Sequence, residues 1–139
     1  MFVEKSMTRK VITVRPETGV LEAHDLLERH RIRHLPVVTD DHRLVGIVTD
    51  RDLRSALPPS LYGKGKESAC KSDYADLTVQ AVMTADPVTI SPANTIEDAL
   101  LLIQKLRVGA FPVVDEAGRL QGILSVRDLL RAFIAVLGI

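Results

Sequence analysis

Gly46-Ile47-Val48-Thr49-Asp50-Arg51-Asp52-Leu53 and Gly122-Ile123-Leu124-Ser125-Val126-Arg127-Asp128-Leu129 are one phrase written twice, 122 − 46 = 76 positions apart. Each runs from a glycine through two apolar residues to a hydroxyl residue and closes on Arg-Asp-Leu. The correspondence extends outward at the same offset with no gap. Leu35-Pro36-Val37-Val38 meets Phe111-Pro112-Val113-Val114, Ile12-Thr13-Val14 meets Val88-Thr89-Ile90, Pro16 meets Pro92, and Met7-Thr8 meets Met83-Thr84. About 18 of the 51 positions from Met7 to Leu57 are identical, and eight more exchange one apolar residue for another. Self-similarity at a fixed offset marks a tandem duplication.

Local signals predict the same order of elements in both copies, strand, helix, strand, strand, helix. Val11 to Val14 reads as a short strand. Thr18 to His30 reads as a helix, because Val20, Ala23, Leu26 and Leu27 recur at helical spacing behind Thr18 as its cap. Leu35 to Thr39 and Leu44 to Val48 are β-branched runs joined by the polar turn Asp40 to Arg43, a hairpin signal. A last helix starts near Thr49. In the second copy Thr95-Ile96-Glu97-Asp98 is a capping-box start, and Ile96, Ala99, Leu100, Ile103 and Leu106 form the expected buried stripe. One copy of about 50 residues is too small to bury its own sheet comfortably. The expected fold is therefore α+β, two β-α-β-β-α domains sharing one core with pseudo-two-fold symmetry. The expected boundaries are residues 1–57 and 77–139, joined by a linker at 58–76 rich in Pro, Gly, Ser and charge.

Composition narrows the function classes. Lys plus Arg and Asp plus Glu number 18 each, so no general field draws the chain to nucleic acid or to an acidic membrane surface. Aromatic residues make up 4% and Trp is absent, which removes the stacking platforms of single-strand binders. No stretch approaches the roughly 20 apolar residues of a spanning helix. The single cysteine, Cys70, has no internal disulfide partner and no zinc pattern around it, so a reducing, cytoplasmic setting is expected.

Two readings fit the duplicated phrase. In one, Thr49-x-x-Asp52 and Ser125-x-x-Asp128 are capping boxes that satisfy free N–H groups at a helix start. In the other, each carboxylate takes paired hydrogen bonds from a ribose cis-diol while the hydroxyl and the helix start face phosphate oxygens. Recurrence in both copies favours the second. Arg51 and Arg127, one residue before each Asp, could add a phosphate contact.

The doubled Met-Thr, the Thr-x-x-Pro at Thr13 to Pro16 and Thr89 to Pro92, the Leu/Phe-Pro-Val-Val strand and the Gly-apolar-apolar-Thr/Ser-x-x-Asp phrase together resemble the CBS domain pair, or Bateman module. The resemblance implies two clefts between paired domains, one marked by Thr49 and Asp52, the other by Ser125 and Asp128. It implies Asp on ribose, Thr or Ser near phosphate, and Ile12, Thr13, Val88 and Thr89 framing adenine. The strand starts Leu35-Pro36 and Phe111-Pro112 would wall the pocket, with Arg33 and His34, or Ala110 in the second copy, just before them. Arg31, Arg33 and His34 stand where the second copy has Arg107, Gly109 and Ala110, so the cleft at Asp52 is expected to take the more phosphorylated ligand. The wording also resembles the CBS portion of acetoin-utilisation accessory proteins. Those usually continue into an ACT domain, whereas this sequence stops at Ile139, as a short relative or a cut chain would.

The expected function is thus a regulatory sensor of AMP, ADP, ATP or S-adenosylmethionine that needs no cofactor, acts as a homodimer and reports to an effector protein. The alternative is a ligand-free pair that only dimerises or docks, favoured by Leu129, Leu130, Phe133, Ile134, Val136 and Leu137, a helix apolar nearly all round. Catalysis is not expected. His24 and His30 are six apart and fall on different helix sides, Asp40-Asp41-His42 suits a solvated turn, and no nucleophile with a base converges in the pattern.

Overall fold

A computed structural model describes residues 1–57 and 74–139 of the chain. Most of the expected linker, Cys70 included, lies outside the described residues. In chain order the elements are α1 (Val3–Ser6), α2 (Val20–His30), β1 (His34–Val38), β2 (Leu44–Thr49), α3 (Asp50–Ala56), α4 (Val79–Val82), β3 (Thr84–Ala85), α5 (Ile96–Leu106), β4 (Ala110–Val114), β5 (Leu120–Ser125) and α6 (Val126–Leu137). The duplication is thus repeated in the fold, helix for helix and hairpin for hairpin.

The chain forms two compact units that do not follow the halves of the sequence. The first-repeat unit holds Ile12–Asp40 and Val45–Asp86. The second-repeat unit holds Met1–Val11, Asp41–Leu44 and Pro87–Ile139. Each repeat therefore folds with the lead-in of the other. In the second-repeat unit, Val3 N–H donates to Asn94 O at 2.8 Å and Ile96 N–H donates to Met1 O at 3.0 Å. In the first-repeat unit, Val79 N–H donates to Thr18 O at 2.7 Å and Val20 N–H donates to Leu77 O at 3.0 Å. These bonds satisfy backbone groups that a helix start leaves free.

Thr18 is consequently not the cap of α2. Gly19 is the N-cap residue, without a side-chain bond, and the Thr18 hydroxyl instead accepts from Arg15 N–H at 2.9 Å across a turn. Thr95 does cap α5, exchanging bonds with Asp98.

The strand expected at Val11 to Val14 shrinks to one parallel bridge, Val14 to Val37, as does its counterpart, Ile90 to Val113. Val14 N–H donates to Pro36 O at 3.1 Å and Val38 N–H donates to Val14 O at 2.9 Å. In a parallel ladder the next donors would be the N–H groups of residues 36 and 16, and both positions are proline, which has none. Pro112 and Pro92 end the second ladder in the same way.

Buried residues fall into two clusters, one in each unit, rather than the single shared core expected. Val14, Val20, Ala23, Leu27, Leu35, Val37, Val48, Leu53 and Val79 build one. Val3, Met7, Ile90, Ile96, Ala99, Phe111, Val113, Leu124 and Leu129 build the other. Each borrows an apolar residue from the lead-in, Val79 or Val3, both fully buried. On α5 the buried stripe is narrower than the sequence suggests. Leu102 and Ile103 pack on the core beside Ile96 and Ala99, while Leu100 and Leu106 are 48% and 40% exposed.

The duplicated glycines belong to this exchange. β3 pairs antiparallel with β2, placing Gly46 opposite Ala85. A Cβ at Gly46 would sit 2.5 Å from Met83 Sδ, and one at Gly122 would sit 2.7 Å from Thr8 O and 2.8 Å from Met7 Sδ. Met-Thr at the lead-in and glycine in the strand are the two sides of one close approach.

Candidate functional site

In the first-repeat unit the hairpin and α3 bring the duplicated polar residues together. β2 ends at Thr49, whose hydroxyl accepts from Asp52 N–H at 3.1 Å, while Thr49 N–H donates to Asp52 Oδ2 at 2.9 Å. The capping box is therefore formed. Asp50 N–H donates to Arg33 O at 3.1 Å, which holds the start of β1 against the start of α3. His34 thereby comes close enough to Asp52 for its carboxylate to act on the imidazole. Burial pushes the His34 pKa below its ordinary value, Arg33's charge pushes the same way, and Asp52 opposes them. The imidazole is held in its neutral form near neutral pH.

Asp52 and His34 are half-buried, and Arg33 and Arg51 are exposed. Among the described residues neither arginine has an ion-pair partner, and no donor reaches Asp52 Oδ1. Ile12 and Thr13, half-buried, precede the bridge residue Val14. Leu35 is fully buried and Pro36 nearly so, so their side chains belong to the core, and they can only back a ligand wall.

The second-repeat unit repeats this construction with other neighbours. Val126 N–H donates to Gly109 O at 3.1 Å, matching the Asp50 to Arg33 bond. Ser125 N–H and Ser125 Oγ donate to Asp128 Oδ2 at 2.8 and 3.0 Å, and Asp128 N–H donates to Ser125 Oγ at 3.3 Å. The other oxygen, Oδ1, accepts from Thr8 Oγ1 at 3.1 Å and from Arg131 Nη1 at 3.4 Å. Asp128 is 3% exposed. Ala110, Phe111 and Pro112 are buried, Thr89 is half-buried, and Val88 and Arg127 are exposed.

Thr8 and Arg131 were not singled out by the sequence pattern as partners of Asp128. The repeat carries a signal for each. Thr8 belongs to the doubled Met-Thr, and Arg131 stands where the first copy has Ser55. Among the described residues Thr84, the counterpart of Thr8, makes no hydrogen bond to Asp52.

No group of three or more His, Cys, Asp and Glu side chains among the described residues could hold a metal ion. The polar groups present are a carboxylate with an open oxygen, an imidazole and two arginines, a set suited to a polyhydroxylated anion rather than to a metal.

Comparison with known proteins shows the family to which the chain belongs. The CBS domain model matches residues 3–59 and 79–135. A CBS domain-containing protein of Dictyostelium discoideum is 34% identical over 99% of this chain and 94% of its own length. Inosine-5'-monophosphate dehydrogenases of Aquifex aeolicus and Korarchaeum cryptofilum also match, at 27% and 35% identity, but the chain spans only 24% and 23% of their lengths. Among solved structures, CBSX2 from Arabidopsis thaliana has a TM-score of 0.86 at 29% identity, over 99% of this chain and 97% of that one. CBSX2 in complex with AMP has a TM-score of 0.81 at 30% identity, over 97% of both chains. The CBS domain pair of protein MJ0100, in complex with 5'-methylthioadenosine and S-adenosyl-L-methionine, scores 0.79 at 26% identity over 98% of both chains. A Vibrio cholerae protein assigned to acetoin utilization (AcuB) scores 0.82 at 29% identity, over 99% of this chain and 93% of that one.

Proposed function

Because the chain belongs to the CBS domain family, with one copy on each side of the linker, we propose that it is a regulatory module that binds an adenosine ligand and transmits its presence as a conformational shift. Similar CBS pairs hold AMP, S-adenosylmethionine or methylthioadenosine, ligands that share an adenosine and differ beyond it. The observation that carries the reading is Asp52. It is half-buried, its Oδ2 is tied to the Thr49 backbone, and among the described residues its Oδ1 has no protein donor, so it can take a ribose hydroxyl.

In this reading Asp52 and Asp128 recognise ribose, and Thr49 and Ser125 approach phosphate. Ile12, Thr13, Val88 and Thr89 frame the base, with Leu35, Pro36, Ala110, Phe111 and Pro112 as the wall behind. Arg33, His34 and Arg51 favour a phosphorylated ligand in the first repeat, AMP, ADP or ATP. The second repeat has Arg127 but carries Gly109 and Ala110 where the first has Arg33 and His34. No catalysis and no cofactor are part of this function. The ligand moves the equilibrium between two arrangements only by its differential affinity for them, and an effector protein reads the outcome. The two repeats of this function are residues 1–57 and 77–139 in sequence, with 58–76 between them and each lead-in folded into the other repeat's unit, and the setting is the cytoplasm. Among the described residues no helix is long and apolar enough to cross a membrane.

One observation favours interaction as well. On α6, Leu130, Phe133, Ile134, Val136 and Leu137 are 47% to 70% exposed, and a cluster of exposed apolar side chains on one helix suits an association site. A second copy in a closed two-fold dimer would cover it. Dimerisation and ligand binding are compatible, and a dimer without ligand is the alternative.

Thermal unfolding of the full chain against AMP, ADP, ATP, S-adenosylmethionine and NADH separates the two. A ligand at 100 times its dissociation constant stabilises the fold by about 2.7 kcal/mol. A raised midpoint with an adenosine ligand supports the sensor. No shift across the series leaves the interaction module.

A further inference from the structure

The two repeats do not offer their carboxylates alike, and we infer that Thr8 and Arg131 form a latch on Asp128 that keeps the second-repeat site from binding ribose, so that the protein binds its first adenosine ligand at Asp52 alone. This rests on the adenosine-binding reading above and adds to it an order of occupancy.

A carboxylate has room for about four donors. Asp128 already has four. Ser125 N–H and Oγ fill Oδ2, and Thr8 Oγ1 and Arg131 Nη1 fill Oδ1. Its side chain is 4% exposed and that of Arg131 68%, so the guanidinium lies over the carboxylate from the solvent side. A cis-diol brings two donors and must displace two that are present. Displacing Arg131 also removes a charge-assisted bond, the stronger kind.

Asp52 has neither cover. Ser55 occupies the position of Arg131 and is too short to reach across the same span with a charge. Thr84 makes no bond to Asp52 among the described residues. The Asp52 carboxylate keeps Thr49 N–H on Oδ2 and an open Oδ1. Since Thr8 sits in the lead-in segment, 120 positions from Asp128 in sequence, a movement of that segment would unlatch the second site. The latch thus couples the position of the N-terminal segment to the number of ligands bound.

The test is calorimetric titration of AMP into the full chain, reading stoichiometry. Wild type is expected to bind one AMP per chain, and Asp52→Asn to lose it. Thr8→Val combined with Arg131→Ser should gain a second AMP, with that step's affinity raised roughly tenfold or more for the removal of two donors to a charged group. The transplant Ser55→Arg, on the exposed side of α3, should weaken the first site severalfold. Two equally tight AMP sites in wild type would overturn the inference while leaving the adenosine reading intact, as would an opened double variant that stays at one. No binding of AMP, ADP, ATP or S-adenosylmethionine by wild type or by the opened variant in the same titration would bring down both.

Discussion

The glycine in each duplicated strand makes the sharpest stability prediction, because the two repeats place different atoms against it. At Gly122 an added Cβ meets Thr8 O at 2.7 Å, Met7 Sδ at 2.8 Å and Met7 Cγ at 3.1 Å. A backbone oxygen cannot step aside without breaking the pairing of Thr8 with Ile123, where the two residues exchange bonds of 2.8 and 3.0 Å. At Gly46 the nearest atom is Met83 Sδ at 2.5 Å, the movable end of a side chain, and Thr84 O follows at 3.0 Å. Overpacking costs about 1–3 kcal/mol, so Gly122→Ala belongs near the top of that range and Gly46→Ala nearer the bottom. For a chain of this length each kcal/mol lowers the midpoint by about 3 °C. Thermal unfolding should therefore show a drop of about 6–9 °C for Gly122→Ala and about 3–6 °C for Gly46→Ala. The decisive comparison is a double-mutant cycle. Met83→Ala should relieve Gly46→Ala, giving a favourable coupling of about 1 kcal/mol, whereas Met7→Ala should relieve Gly122→Ala only in part, since Thr8 O remains. A Gly122→Ala protein as stable as wild type, or strict additivity of Gly46→Ala and Met83→Ala, would refute the close approach of lead-in and strand.

Thr49→Ala removes the hydroxyl that accepts from Asp52 N–H, and should cost about 1 kcal/mol in denaturant unfolding, the usual worth of an N-cap. The buried His34 has a lowered folded pKa, so the unfolded chain takes up its proton first. Stability from this group is complete above the ordinary value of 6.5 and is lost as pH falls from there toward the lower folded value. Unfolding curves at stepped pH should show that decline, and His34→Asn should flatten it. Phe133→Glu with Leu137→Glu should convert a dimer to a monomer in analytical ultracentrifugation, since charge on the exposed α6 face opposes its burial. A dimer that survives both changes would place the interface elsewhere.

How much of this was legible in the sequence follows from the range of each interaction. Capping boxes at Thr49, Thr95 and Ser125 span three residues, and the pattern names both partners. The hairpins were legible for the same reason, while the left-handed conformation at His42, φ 68°, and Gly118, φ 82°, which the duplication aligns, comes from the structure. The strand at Val11 to Val14 was overread, although the prolines that end its ladder are in view at 16 and 36. Reading them as terminators requires knowing that the ladder is parallel, which is a tertiary fact. The exposure of Leu100 and Leu106 depends on what lies over α5, and helical spacing does not state it. Exchange of lead-ins was half legible. Val3 and Val79 could be seen to precede each Met-Thr by four, but not which core each would enter. The contact of Thr8 with Asp128 lies beyond any local pattern. The difference between Ser55 and Arg131, one of several between the two phrases, is the hint in the sequence that the two carboxylates are treated differently.

The central claim is that Asp52 recognises the ribose of an adenosine ligand. It is tested most directly by calorimetric titration of wild type and Asp52→Asn with AMP and with 2'-deoxy-AMP. The account predicts that wild type binds AMP, and that removing either the 2'-hydroxyl or the Asp52 charge weakens binding by tenfold or more, the worth of a hydrogen bond to a charged group at about 1.5–3 kcal/mol. Equal affinity for AMP and its deoxy form, with Asp52→Asn binding as wild type does, would contradict it.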